Sequence, residues 1–229
     1  LKENKEGLSK VLDDFKKYIL FNVKGVSPGS FTAAVFKIEG SKAEVENQRE
    51  NLRTLSKKHE GILAGESTGR SGYLATMVIA YIRELIFTQN VLGETMETAV
   101  PWSKINQVKS EAHKLIVELH EKNNLPGKPF FTSRISKIYH TGVCMYNTIA
   151  MSFEGIENPE DVFTNIEHKM RENFIKNGGS ISHHHGVGKL RKDFMQDTIS
   201  ESSIEMVRGI KQTQDPNNVF GVKNNIVLK

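Results

Sequence analysis

The sequence predicts an α+β fold: an antiparallel sheet covered by helices, followed by a helical C-terminal segment. Two observations carry this. Segments with strand character are separated by segments with helical periodicity, and residues 128–140 and 142–153 form one tight pair joined by a short turn. The order suggests the βαβ-type halves of a ferredoxin-like arrangement, used twice.

Residues 8–22 read as a helix, with Leu8, Val11, Leu12, Phe15 and Ile19 on one stripe, and Val26-Ser27-Pro28-Gly29 as a turn. Residues 31–38 (FTAAVFKI) read as a strand. Ser41 then caps a helix reaching about His59. Four glycines within 61–72 mark a loop, with a helix following to Phe87. Residues 91–100 read as a strand, and Pro101 opens a helix whose stripe is Ile105, Val108, Ala112, Leu115, Ile116 and Leu119. The strand pair comes next, then a helix over 159–176 closed by Gly178. A short strand at 181–185 and two further helical stretches lead to Asp215-Pro216.

At 229 residues the chain holds one good-sized domain or two small ones. A net charge of +4 suits anionic ligands or surfaces but lacks the clustered basic signature of a nucleic-acid binder. A single cysteine, Cys144, excludes an internal disulfide framework. No apolar run approaches the ~20 residues of a transmembrane helix, and no signal-peptide pattern opens the chain. It begins with Leu1, inside an expected helix, and is expected to be a piece of a longer protein.

The segment with most chemistry is Ser182-His183-His184-His185-Gly186-Val187-Gly188-Lys189-Leu190-Arg191. Imidazoles move protons near neutral pH. Three in succession point in different directions, which suits a polar wall around an anionic or proton-exchanging ligand better than a metal site; no metal is expected. The alternative is a solvated loop. Gly186-Val187-Gly188 is too short for a dinucleotide fingerprint and no phosphate-binding glycine loop occurs, so a nucleotide cofactor would be held mainly by residues outside this chain.

Other positions stay open between two readings. Arg83 is either half of a surface ion pair or a guanidinium holding a carboxylate or phosphate bidentately. In a strand, Cys144, Tyr146 and Thr148 share one face. Tyr146 is then a packing residue unless something basic lies beside its phenol, and Cys144 is a small buried hydrophobe. Lys189, Arg191 and Lys192 hold an anion or cover a helix face.

The residues from Gly178 to Lys192 closely resemble the signature of the alkyldihydroxyacetonephosphate synthase family, flavin-containing ether-lipid enzymes of the vanillyl-alcohol-oxidase superfamily. Ala80-Tyr81-Ile82-Arg83-Glu84, residues 91–98, Pro101-Trp102, residues 142–146 and residues 215–221 fall in the family's order and approximate spacing. The resemblance covers essentially the whole chain and identifies it as the C-terminal half of such an enzyme. Residues 1–180 would be a substrate-binding cap domain. Residues 181–229 would be the histidine-rich segment and the helices returning to a flavin domain not in this chain.

The resemblance implies an exchange in which acyl-dihydroxyacetone phosphate loses its fatty acid and a long-chain fatty alcohol takes its place as an ether, with FAD taking part without net oxidation. It implies Tyr146 as the proton-transferring tyrosine and His183, His184 and His185 as its helpers or as phosphate ligands. Arg83 would bind substrate, and Val222, Lys223, Asn224, Asn225 and Ile226 would lie beside the flavin. It also implies a homodimer, peripheral membrane contact and a peroxisomal or glycosomal lumenal location. Two alternatives remain: a sister oxidase of a 2-hydroxy acid or phenol, and a non-enzymatic module binding metal or anion through its histidines.

Overall fold

The computed structural model describes residues 32–221, in two compact units that divide between Ile79 and Ala80. The expected helix over 8–22 and turn at 26–29 lie outside the described residues. In the first unit, residues 32–39 carry no regular structure, which corrects the expected strand over 31–38 for all but Phe31, itself outside the described residues. An apolar run becomes a strand only when a neighbour takes up its backbone groups, and this one leaves Val35 and Phe36 exposed.

Helix α1 (Lys42–Lys58) starts where expected. Ser41 Oγ accepts from the Glu44 amide, and the Glu44 carboxylate accepts from the Ser41 amide at 2.8 Å, a reciprocal capping box. Helix α2 (Glu66–Phe87) corrects the loop expected over 61–72, because it already begins at Glu66. Its glycines cost about 1 kcal/mol each relative to alanine. Once nucleated, a helix of this length propagates through such positions.

The second unit contains strand β1 (Val91–Pro101), a 3-10 turn (Trp102–Lys104) and helix α3 (Ile105–Lys122). Strands β2 (Phe130–Ile138) and β3 (Gly142–Ser152) and helix α4 (Pro159–Lys176) follow. The sheet order is β1-β3-β2, antiparallel throughout. The expected stripe of α3 is the one that packs: Val108, Ala112, Ile116 and Leu119 are buried, with Ile105 and Leu115 partly so. With Ile166, Met170 and Phe174 of α4 they cover one sheet face, against Met96, Val100, Met145, Ile149 and Met151. Helix α4 ends as Gly178 predicts. The Gly178 amide donates to the Ile175 carbonyl at 3.0 Å and the Gly179 amide to the Phe174 carbonyl at 2.8 Å, a Schellman pair.

Residues 181–185 are irregular, which corrects the strand expected there. Strand amides alternate in direction, whereas the amides of His183, His184 and His185 all turn to one carboxylate, that of Glu97. The described residues therefore hold one β-α-β-β-α unit rather than two. Its histidine segment starts along the free edge of β1, where Ser180 exchanges backbone and side-chain hydrogen bonds with Ala99 and Thr98. A 3-10 turn (Lys192–Phe194) and helix α5 (Glu201–Gln214), capped by Ser200, realise the two expected helical stretches. Among the described residues no helix is long and apolar enough to cross a membrane.

Candidate active site

The site is built on the sheet face that the helices leave bare. Alternation along β3 sends Met145 and Asn147 to the buried side, so Cys144, Tyr146 and Thr148 share the other, as their spacing predicts. Register then sets Glu97 of β1 on one side of Tyr146 and Arg134 of β2 on the other. A bulge between Ile135 and Lys137 follows immediately after Arg134; bulges re-aim side chains and recur beside active sites. The β2–β3 turn is pinned by Trp102, whose indole N–H reaches the carbonyls of Tyr139 and His140 at 3.1 and 3.2 Å.

Glu97 organises the histidine segment. Its side chain is fully buried. Oε1 accepts from the Ser182 hydroxyl and from the amides of His183, His184 and His185 at 3.1, 3.3 and 2.9 Å. Burial alone pushes this carboxyl up; the hydrogen bonds from Ser182 and from the amides of His185 and His183 outweigh it and hold the group at about 2. Three successive amides around one carboxylate form an anion nest. Oε2 lies 2.5 Å from His185 Nδ1 and 3.8 Å from a terminal nitrogen of Arg191. Arg191 also approaches that nitrogen, its terminal N–H group 3.4 Å from His185 Nδ1, so the ring nitrogen sits between carboxylate and guanidinium. Arg191, mostly buried, also donates to the Gly186 carbonyl at 3.1 Å.

The phenol of Tyr146 donates to Thr95 Oγ1 at 3.1 Å. Three groups pack about its ring: His184 stacked at 5.9 Å between centroids, His185 edge-on at 6.1 Å, and the Arg134 guanidinium 4.6 Å from the centroid. The imidazoles thus meet the ring, while the hydroxyl is held by threonine. His183 Nε2 sits 2.8 Å from the Tyr139 hydroxyl, and its Nδ1 3.0 Å from Nδ1 of His184.

The structure therefore brings Tyr146, His183, His184 and His185 together. Arg83 lies on the exposed surface of α2 and enters none of these contacts. Val222, Lys223, Asn224, Asn225 and Ile226 lie outside the described residues. Sequence reasoning missed Glu97, Arg134, Thr95 and Tyr139. Glu97 falls inside one of the segments that carry the family resemblance, but only strand register shows that it and Arg134 flank Tyr146.

Phenol, imidazoles and guanidinium on an open sheet face fit the reactive ring end of a flavin and an anionic substrate. They do not fit a pyrophosphate: in Gly186-Val187-Gly188 a side chain at either glycine would meet open space, so this turn is no close-packed cradle.

The family described as "FAD linked oxidases, C-terminal domain" matches residues 8–222. The alkyldihydroxyacetonephosphate synthase of Caenorhabditis elegans is 34% identical over 208 residues, spanning 91% of this chain and 35% of that protein. Its namesake from Dictyostelium discoideum is 26% identical over 95% of this chain and 35% of its own length. That of Trypanosoma brucei brucei is 24% identical over 90% and 33%. The chain thus spans about a third of the relatives it matches. A solved alkyldihydroxyacetonephosphate synthase shares the fold, with a TM-score of 0.54 at 22% identity, over 78% of this chain and 29% of that one.

Proposed function

Because the chain belongs to the family of FAD-linked oxidase C-terminal domains, we propose that it is the substrate-facing part of an FAD-dependent alkyldihydroxyacetonephosphate synthase. The reaction exchanges the fatty acyl group of acyl-dihydroxyacetone phosphate for a long-chain fatty alcohol. The ester C–O bond at C1 breaks, the fatty acid leaves as carboxylate, and the alcohol oxygen bonds to C1 after losing its proton. The observation that carries the reading is the surround of Tyr146: a phenol with two imidazoles and a guanidinium about its ring, on the sheet face opposite α3 and α4.

FAD, when bound, supplies an electron-accepting ring that activates C1. The chain's own residues manage protons and charge. Tyr146 takes a proton from C1 and returns it. An ordinary phenol, with a pKa of about 10, is a poor base at neutral pH. The Arg134 guanidinium packs over its ring, and Thr95 Oγ1 fixes the oxygen's direction. His185, held beside the Glu97 carboxylate, is the imidazole we assign to proton exchange with Tyr146, and His183 and His184 extend the polar wall toward the substrate phosphate. Arg83 is assigned to an anionic end of the substrate. The reading carries with it a homodimer, peripheral membrane contact and a peroxisomal or glycosomal lumenal location, which fractionation of the parent cells tests.

The deciding experiment uses the full-length, FAD-loaded protein, palmitoyl-dihydroxyacetone phosphate and radiolabelled hexadecanol under anaerobic conditions. Ether product is expected without any electron acceptor, and its rate is expected to fall at least about a hundredfold in Tyr146→Phe, the scale of general acid–base catalysis. No ether, with flavin bleaching by a hydroxy acid instead, assigns the protein to the oxidase branch.

A further inference from the structure

Cys144, His183 and His184 place one donor atom each within 4.8 Å of the others. We propose that these three side chains bind a soft divalent cation, zinc foremost, at the foot of the histidine segment. This goes beyond the synthase reading, in which His183 and His184 only line the wall toward the substrate phosphate.

Adjacent histidines ordinarily diverge, and on sequence they argue against a metal. Here Glu97 gathers the amides of residues 183–185 and overrides that tendency, so Nδ1 of His183 and Nδ1 of His184 face one another at 3.0 Å. Two nitrogen lone pairs at that separation repel unless something positive lies between them, a proton or a cation. The third donor favours the cation. Cys144 is fully buried on β3, on the same bare face as Tyr146, and a thiol with two imidazoles is a borderline-soft set suited to zinc. Zinc bonds of about 2.3 Å to sulfur and about 2.0–2.1 Å to nitrogen put tetrahedral ligands about 3.3–3.6 Å apart. The two imidazole nitrogens, at 3.0 Å, stand a few tenths of an ångström inside that range, and all three donors lie within 4.8 Å of one another.

The surroundings suit a dication as well. Tyr139 holds Nε2 of His183 at 2.8 Å, the outer hydrogen bond that metal-bound imidazoles regularly make and that leaves Nδ1 to the ion. The thiolate offsets one of the ion's two charges. Binding releases the thiol proton, and any proton shared by the two imidazoles, to solvent. A fourth position is left for water or an anionic ligand.

The test is spectroscopic and independent of turnover, so its failure and that of the synthase reading are distinguishable. Full-length FAD-loaded protein, reduced at its thiols and stripped with a chelator, is titrated with Co2+. We expect a thiolate-to-cobalt charge-transfer band together with tetrahedral d–d bands to the red of the flavin. Both should saturate at one equivalent and be displaced by Zn2+. Cys144→Ser should abolish the charge-transfer band and weaken binding at least about tenfold, the lower end of what loss of even a supporting group costs. His183→Ala, on a half-exposed loop position, should weaken it similarly, with flavin retention and circular dichroism reporting the fold. Absence of tetrahedral cobalt, or identical spectra in both variants, overturns the proposal.

Discussion

Glu97 bears more of the site's geometry than any histidine does, because it contacts all three through their backbone amides and one through its ring. Glu97→Ala leaves those amides without their acceptor in a buried place, while the Ser182 hydroxyl keeps the His185 carbonyl. Unmaking such charge-assisted bonds destabilises by about 3 kcal/mol or more, which urea denaturation of the full-length protein measures. Glu97→Gln keeps the shape but loses the charge and turns one acceptor into a donor, so its loss should be intermediate. The histidines were legible in the sequence because three together are unusual, and Tyr146 through the family resemblance. Glu97 was not legible as their anchor. An isolated strand glutamate does not reveal that residues 86 to 88 positions later will fold back on it.

At the scale of elements, the turn out of α4 decides where the histidine segment begins. A Cβ on Gly179 would lie 2.5 Å from Thr98 Oγ1 and 3.1 Å from the Phe174 carbonyl. Gly179→Ala therefore has to displace either the free edge of β1 or the helix end. It should lower the melting temperature by several degrees, as about 1–3 kcal/mol of overpacking does, and slow ether formation by misplacing the loop.

The C-terminal end of α5 provides the pH-dependent element. The Asp215 carboxylate accepts from Lys211 Nζ and from the amides of Val219 and Phe220 at 2.9 and 3.0 Å. The Lys211 hydrogen bond first, and then those two amides, hold the carboxyl at about 2. A carboxyl depressed in the folded state stabilises above its unfolded value, near 3.9, and that stabilisation is lost as pH falls through the folded value. The protection of the Val219 and Phe220 amides against hydrogen exchange, relative to the free-chain rate at each pH, should thus be full above about pH 4 and fall toward pH 2, and Asp215→Asn should abolish that fall.

Element types were largely readable, for α3, α4, the β2–β3 pair and the Ser41 and Gly178 caps, because periodicity and capping are local. Two misreadings were not local in origin. Residues 32–38 have strand composition but no strand partner among the described residues. Residues 181–185 are drawn out of strand geometry by a side chain far away in sequence.

At the scale of the whole molecule, the chain accounts for about a third of its relatives' length, and its surface reflects that. Tyr81, Ile82 and Leu85 recur at helical spacing along the last turns of α2, and all are exposed. Such a stripe marks a surface that something apolar meets. In the proposed reaction a long-chain alcohol has to leave a bilayer to reach the site, and we expect this stripe to contribute to peripheral contact. Replacing Tyr81 and Leu85 with aspartate in the full-length protein should reduce vesicle co-sedimentation severalfold while flavin content stays constant.

The carboxylate nest has an evolutionary consequence. The path of residues 183–185 is written chiefly into backbone amides, which every amino acid except proline possesses, and not into the imidazoles at 183 and 184. A descendant of this chain is therefore free to exchange the side chains at 183 and 184 for those of another reaction while inheriting the loop intact. One buried glutamate on β1 would let a single scaffold diversify its chemistry without relearning how to fold.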